Sequence, residues 1–126
     1  MAVPSDLDQE DIKNPLNINN FWCMSYLEKK IPDFFEEQKA SMEKGERPDP
    51  VTKKLWQDCM RRKGEITAKC ESGEMTVEMY ADLLKKQYLK DCQLLTYFKQ
   101  AKDLTKAKIV FERLNIIKQE CESEGI

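Results

Sequence analysis

The sequence predicts an all-α protein, a helical bundle of four to five helices that ends in a long antiparallel helical hairpin. Apolar residues recur at intervals of three and four over long stretches, which is the spacing of one face of a helix. The chain has only four glycines and five prolines, and β-branched residues do not alternate over more than a few positions, which disfavours a sheet. A helical domain of 126 residues is long enough to bury a core and fold by itself.

Residues 1–17 are predicted to form a flexible acidic lead. They combine carboxylates, asparagines and two prolines with few apolar side chains, so burial cannot offset the entropy of ordering them. A single helical domain is predicted to follow over residues 18–126. Because the sequence stops soon after a strong helical pattern, we also consider the hypothesis that this domain belongs to a larger protein.

Residues 18–44 are predicted to form two short aromatic helices. An asparagine cap at Asn19 or Asn20 precedes the first, which ends near Lys30, and Pro32 separates it from a second helix over about residues 33–44. Two short helices cannot bury every face of the aromatic residues they carry. This segment therefore either covers the main bundle as a lid or leaves an apolar groove. The aromatic residues are Phe21, Trp22, Tyr26, Phe34 and Phe35.

The stretch GERPDP at residues 45–50 predicts a break between helices. Gly45 is suited to end one helix in a left-handed conformation, and Asp49 with Pro50 is suited to begin the next. A third helix is predicted over residues 50–72, with Gly64 as a weak point and Gly73 as its terminator. Its predicted apolar face consists of Leu55, Cys59, Ile66 and Cys70.

Two long helices are predicted over residues 77–101 and 104–122. Thr76 caps the first, and the connection at Asp103 is so short that the two helices must pack antiparallel. The predicted face of the first is Val77, Tyr80, Leu84, Tyr88, Cys92, Leu95 and Phe98. The predicted face of the second is Ala107, Val110, Leu114, Ile117 and Cys121, with the spacing of a coiled-coil seam. In outline this hairpin resembles those of tetratricopeptide-like and microtubule-interacting-and-trafficking domains, but a repeat period near 34 residues is missing and no family is assigned.

The residue types argue against an enzyme. The chain contains no histidine, so a cysteine or serine nucleophile would lack its usual base, and mixed zinc sites cannot form. Glycine-rich phosphate-binding loops are missing too. We expect no catalytic residues, no cofactor and no metal. The five widely spaced cysteines are expected to be small apolar core residues in a reducing, cytoplasmic environment.

The expected function is a noncatalytic protein–protein interaction module, an adaptor or scaffold that presents a helix face or apolar groove to a partner. The partner would be another protein's helix or short linear motif, including partners with acidic groups. Candidate contact residues combine anchoring chemistry with expected partial exposure. They are Phe34, Phe35, Trp56, Arg61, Arg62 and Lys63.

Two alternatives remain open from the sequence. The first is self-association into a homo-oligomer through the seam of the C-terminal helix, from Ala107 to Cys121. The second is binding to an anionic membrane surface or nucleic acid through a small basic patch. The net charge of −2 makes nucleic acid an unfavoured partner. The patch consists of Lys53, Lys54, Arg61, Arg62 and Lys63.

Overall fold

The computed structural model describes residues 9–18 and 20–125, and the regular secondary structure of this part of the chain is entirely helical. It contains five helices and no strand, which confirms the all-α prediction. Residues 1–8 of the predicted lead, and Asn19 as a predicted cap, lie outside the described residues. The helices are α1 (Gln9–Lys13), α2 (Met24–Glu43), α3 (Pro50–Glu71), α4 (Val77–Gln100) and α5 (Leu104–Ser123).

The helices belong to two compact units. The first unit comprises the described residues up to Cys23 together with those from Thr76 onward, and the second comprises Met24–Met75. The first therefore contains α1, α4 and α5, whereas the second is the α2–α3 pair. Each unit is built around an antiparallel pair of helices joined by a short turn.

The second unit differs from the sequence prediction at Pro32, because α2 continues through this residue as one helix of 20 residues. A proline inside a helix removes one backbone hydrogen bond and costs about 3 kcal/mol. Ile31 and Phe34 on either side of it are half-buried, and α2 packs along α3. This packing outweighs the local cost, because most helix stability in proteins comes from tertiary burial.

The turn between α2 and α3 follows the sequence prediction. Gly45 has a φ of 74°, a left-handed conformation that costs glycine little, and its N–H donates to the carbonyl of Met42. Asp49 caps α3 by accepting from the N–H of Val51 at 3.2 Å, and Pro50 is the first helical residue. Gly64 does not interrupt α3, which runs on to Glu71.

The first unit contains the predicted long antiparallel hairpin of α4 and α5. The Thr76 hydroxyl accepts from the N–H of Met79 at 3.1 Å and caps α4. At the turn, the N–H of Asp103 donates to the carbonyl of Phe98 at 2.9 Å, and the Asp103 carboxylate caps α5 by accepting from the N–H of Lys106. These bonds reverse the chain within three residues, so α5 returns along α4.

An apolar cluster close to this turn holds the hairpin together. Leu94 and Phe98 of α4 pack with Ala107 and Val110 of α5, and all four are buried. Ile12 of α1 packs against the same cluster. The part of the predicted lead that the structure describes is thus packed on the hairpin: it contains α1, and both Asp11 and Pro15 are buried.

The buried face of α4 is rotated relative to the predicted one. Val77 is 74% exposed, and Tyr88 and Cys92 are only half-buried. On α5, Arg113 is buried whereas Leu114 is half-buried. The apolar pattern missed this rotation because three of the inward positions are polar. The buried residues of α4 are Leu84, Gln87, Asp91, Leu94 and Phe98.

No helix among the described residues is both long enough and apolar enough to span a membrane.

Truncation of Leu94 tests the hairpin core. Leu94→Ala removes a fully buried side chain from the cluster, so we expect it to lower the free energy of unfolding by about 2–5 kcal/mol. Leu89→Ala is a matched control on the same helix, because Leu89 is 54% exposed and its loss should change stability by less than ~0.5 kcal/mol. Urea unfolding followed by circular dichroism compares the two. Equal effects would contradict the assigned core.

Candidate functional site

The candidate site is an apolar groove on the α2–α3 unit, which we call the α2–α3 face. The groove has a volume of about 510 Å³. Its residues on α2 fall at intervals of three and four, so they form one stripe along that helix. Trp56 of α3 lies across from this stripe. The groove is lined by Phe35, Gln38, Lys39, Met42, Glu43 and Trp56.

Three large apolar side chains form the floor of this groove. Phe35 is 50% exposed and Met42 is 63% exposed, and together with Trp56 they form a contiguous apolar patch in one groove. The Phe35 and Trp56 rings lie 6.3 Å apart at an angle of 42°. Because Met42 follows Phe35 by two helical turns, it extends the apolar surface by about 10 Å along α2.

The structure brings together two of the sequence-predicted contact residues, Phe35 and Trp56, in the groove. Phe34 does not line it. Its side chain is half-buried, and the Lys30 ammonium lies 5.8 Å from its ring. Met42 was not among the predicted contacts, although its spacing of seven residues from Phe35 marks the same helical face.

The three basic residues of the prediction lie further along α3 and do not line the groove. Arg61 pairs with Glu65 as an exposed ion pair, and this hydrogen bond is the main cause of the lowered pKa of Glu65. Arg62 also donates to Glu65, at 3.1 Å, but is only 4% exposed, so its expected partial exposure is not found. Lys63 is half-buried.

The wider basic patch is likewise balanced by nearby carboxylates. Lys54 pairs with Asp58 at 3.2 Å, one turn along α3. Lys53 is exposed. Surface pairs of this kind contribute little to stability, yet they reduce the positive potential that a phosphate group would meet.

A second constellation, in the first unit, was not predicted. Arg113 and Asp91 form a buried ion pair, with exposed fractions of 2% and 0%. The Nε of Arg113 donates to one Asp91 oxygen at 2.7 Å, and a terminal nitrogen donates to the other at 2.9 Å. Gln87 donates to Asp91 as well, at 2.9 Å. This bidentate pairing provides hydrogen bonds to both carboxylate oxygens at a site that is not accessible to water.

This pair also fastens residues 11–22 to the hairpin. Arg113 donates to the carbonyl of Pro15, and its guanidinium carbon lies 4.9 Å from the centre of the Phe21 ring. The N–H of Trp22 donates to Gln87 at 3.3 Å, and Lys90 pairs with Asp11. The buried ions thus act as a clasp between distant parts of the sequence.

The clasp is tightly packed. The space beside it is about 10 Å³, which is what a single water molecule requires. The sequence contained one signal for this ion pair. Gln87 and Asp91 lie one turn apart at inward positions of α4, and Arg113 lies at the matching position of α5.

The C-terminal seam considered for self-association is occupied within the chain. Ala107, Val110, Ile117 and Cys121 are all buried, with exposed fractions of 8% or less. Tyr80 of α4 donates to Glu120 at 2.7 Å near the far end of the hairpin. Pairing of two copies through this seam would have to replace these contacts.

The five cysteines are free thiols in different environments. Cys23, Cys59 and Cys121 are buried, Cys92 is half-buried and Cys70 is exposed. Burial, reinforced by the nearby carboxylate of Asp58, raises the pKa of the Cys59 thiol to about 11. Among the described residues, no three cysteines or carboxylates are grouped as a metal site requires.

Compared with protein-family models, curated proteins and solved structures, the chain shows no match that meets the threshold for significance.

The clasp can be tested by removing one ion. Arg113→Met leaves Asp91 buried without its counter-ion, and we expect the free energy of unfolding to fall by about 3–5 kcal/mol. The double variant Arg113→Met/Asp91→Leu should recover part of this loss, because no isolated charge remains. Arg61→Met is the control, since it removes an exposed arginine and should cost less than ~1 kcal/mol. A loss in Arg113→Met no larger than in the control would contradict the clasp.

The thiols should differ in reactivity. At pH 8 the raised pKa keeps Cys59 protonated and burial shields it, so we expect Cys70 to react first with a disulfide reagent. Cys59 should react only after unfolding, and its thiolate fraction should rise only as the pH approaches about 11. Mass spectrometry of partly labelled protein identifies the sites, and Cys70→Ser should abolish the fast phase. Early labelling of Cys59 would refute this assignment.

Proposed function

We propose that the protein is a noncatalytic protein–protein interaction module that uses the α2–α3 face as its docking surface. One observation carries this proposal: Phe35 and Met42 stay half or more exposed beside Trp56, in a groove on a helix pair. Exposed apolar clusters of this kind mark interaction sites, because their burial by a partner is favourable.

The groove suits a helix better than a small molecule. It is open along α2, and its apolar residues repeat with helical spacing, so an amphipathic helix can align its own anchors with them. Burial of each large apolar side chain is worth about 1.5–3 kcal/mol. Three such residues supply enough energy for a transient complex, and the charged Lys39 and Glu43 at the edge add orientation.

A scaffold role in the cytoplasm is part of the same proposal. The free thiols are compatible with a reducing compartment, since secreted proteins of this size favour disulfides. The absence of histidine from the sequence removes the commonest general base. The ion pairs of Lys54 and Arg61 speak against a phosphate-directed surface.

Charge substitution in the groove tests this proposal. Phe35→Glu/Met42→Glu places two carboxylates on the apolar floor, so proteins that bind there should be lost from affinity purifications made with the full chain. We expect each substitution to weaken binding by at least about tenfold, because an anchor is lost and a charge is desolvated. Proximity labelling in cells provides a second measurement.

The matched control is Phe111→Glu/Leu104→Glu on α5. Phe111 is 52% exposed and Leu104 is 73% exposed, so the control adds the same charges at comparably exposed apolar positions. Circular dichroism verifies that both variants fold. Partners that are retained by the groove variant, or lost equally from the control, would contradict the proposed docking surface.

A further inference from the structure

We infer that the α2–α3 face docks a second copy of this chain, so that two α2–α3 pairs form a twofold-symmetric antiparallel four-helix bundle. In this arrangement α2 of each copy lies against α3 of the other. The inference rests on the proposed function, because it names the occupant of the same surface.

The α2–α3 pair lacks a buried interior over much of its length. None of residues 28–58 is buried, although this stretch includes Phe34, Leu55 and Trp56. Met60, one turn beyond Trp56 on α3, is 47% exposed and lengthens the apolar surface. Two helices alone cannot enclose such residues, whereas four helices surround a common core.

The charges of the two helices are complementary. α2 carries five carboxylates and three lysines, so it is net negative. α3 carries six basic residues and three carboxylates, so it is net positive. Such a surface is electrostatically complementary to a second copy of itself when the negative α2 of one copy faces the positive α3 of the other.

Symmetry allows that match. A twofold axis parallel to the helices places α2 of one copy over α3 of the other and keeps each residue at its level along the pair. An axis perpendicular to the helices within the interface would instead place α2 on α2 and α3 on α3, with like charges opposed. The charges therefore select the first arrangement, in which the facing helices are antiparallel.

The same rotation aligns specific side chains. The Phe35 and Trp56 rings are neighbours across the helix pair, with centroids 6.3 Å apart, so the rotation brings Phe35 of each copy against Trp56 of the other. Glu28 lies seven residues before Phe35 on α2 and Lys63 lies seven residues after Trp56 on α3, so in antiparallel helices both are two turns further along in the same direction. Both are charged residues beside the apolar stripe, and the rotation brings them together between copies.

The size of the face fits a reversible dimer. Helices of 20 and 22 residues are about 30 Å long, and two side by side are about 20 Å wide, so pairing removes roughly 1,200 Å² of surface in total. This value lies at the lower end of specific interfaces. A dimer that dissociates at low concentration follows, and a partner helix would compete with it for the groove.

Sedimentation velocity of the full chain tests the inference directly. Between about 1 and 300 µM, we expect the sedimentation coefficient to rise from that of a monomer to that of a dimer, with a midpoint in the micromolar range typical of small interfaces. A protein that stays monomeric throughout overturns the inference. So does assembly that continues beyond a dimer, because a twofold interface is closed.

Charge reversal tests which helices meet. Glu28→Lys and Lys63→Glu each oppose like charges between α2 of one copy and α3 of the other, so each alone should weaken dimerisation by at least about tenfold. Mixing the two variants should restore a dimer, because every α2–α3 contact then joins opposite charges. Lys85→Glu/Lys108→Glu, at exposed positions of α4 and α5, is the control and should dimerise normally. If the first variant dimerises as well as the unmodified chain, the α2-on-α3 arrangement is wrong.

The apolar floor gives an independent measurement. Met42→Glu should abolish the dimer, whereas Leu104→Glu should not, although both residues are more than 60% exposed, at 63% and 73%. Failure of this inference differs from failure of the proposed function. If the chain is monomeric but Phe35→Glu/Met42→Glu still loses its partners, only the second copy is disproved as the occupant of the groove. If the variant captures its partners unchanged, the docking surface itself is disproved.

Discussion

The ion pair between Arg113 and Asp91 organises the first unit of the protein. Both groups are removed from water, so each requires a partner of opposite charge and further hydrogen bonds. Asp91 accepts hydrogen bonds from Arg113 and Gln87. Arg113 also donates a hydrogen bond to the Pro15 carbonyl and makes a cation–π contact with the Phe21 ring. Residues 11–22 are held against the hairpin for this reason. They provide the Pro15 carbonyl and the Phe21 ring, which the hairpin alone lacks.

This buried pair also explains the register of α4 on α5. A polar side chain at an inward position is tolerated only where its partner lies directly across the interface. Asp91 and Arg113 therefore fix which turns of the two helices face each other, in the way that a single buried polar residue fixes register in coiled coils. The apolar cluster around Leu94, Phe98 and Val110 then fills the space between this pair and the turn.

The α2–α3 pair is built on the opposite principle. Over residues 28–58 its apolar side chains are gathered on one side without being enclosed, and its charges are divided between the two helices. Covering such a surface with another helix or helix pair removes apolar side chains from water, which lowers the free energy. The contrast between a satisfied first unit and an uncovered face on the second is the physical basis of the interaction function that we propose.

The sequence by itself determined the all-α class, the GERPDP turn, the caps at Asp49 and Thr76, the turn at Asp103, and the antiparallel order of the last two helices. These features are local, since glycine, proline and capping side chains act within a few residues of their position. Part of the groove was predictable for the same reason: Phe35 and Trp56 were identified as anchors by residue type.

Only the tertiary structure decided the rest. Packing along α3 carried α2 through Pro32, and long-range contacts ordered the segment around Pro15 that composition had indicated as flexible. The buried face of α4 could not be obtained from apolar spacing, because Gln87 and Asp91 enter the core only when Arg113 of another helix neutralises and orders them. Burial of a charge depends on a partner that is distant in sequence, and a one-dimensional pattern does not contain that information.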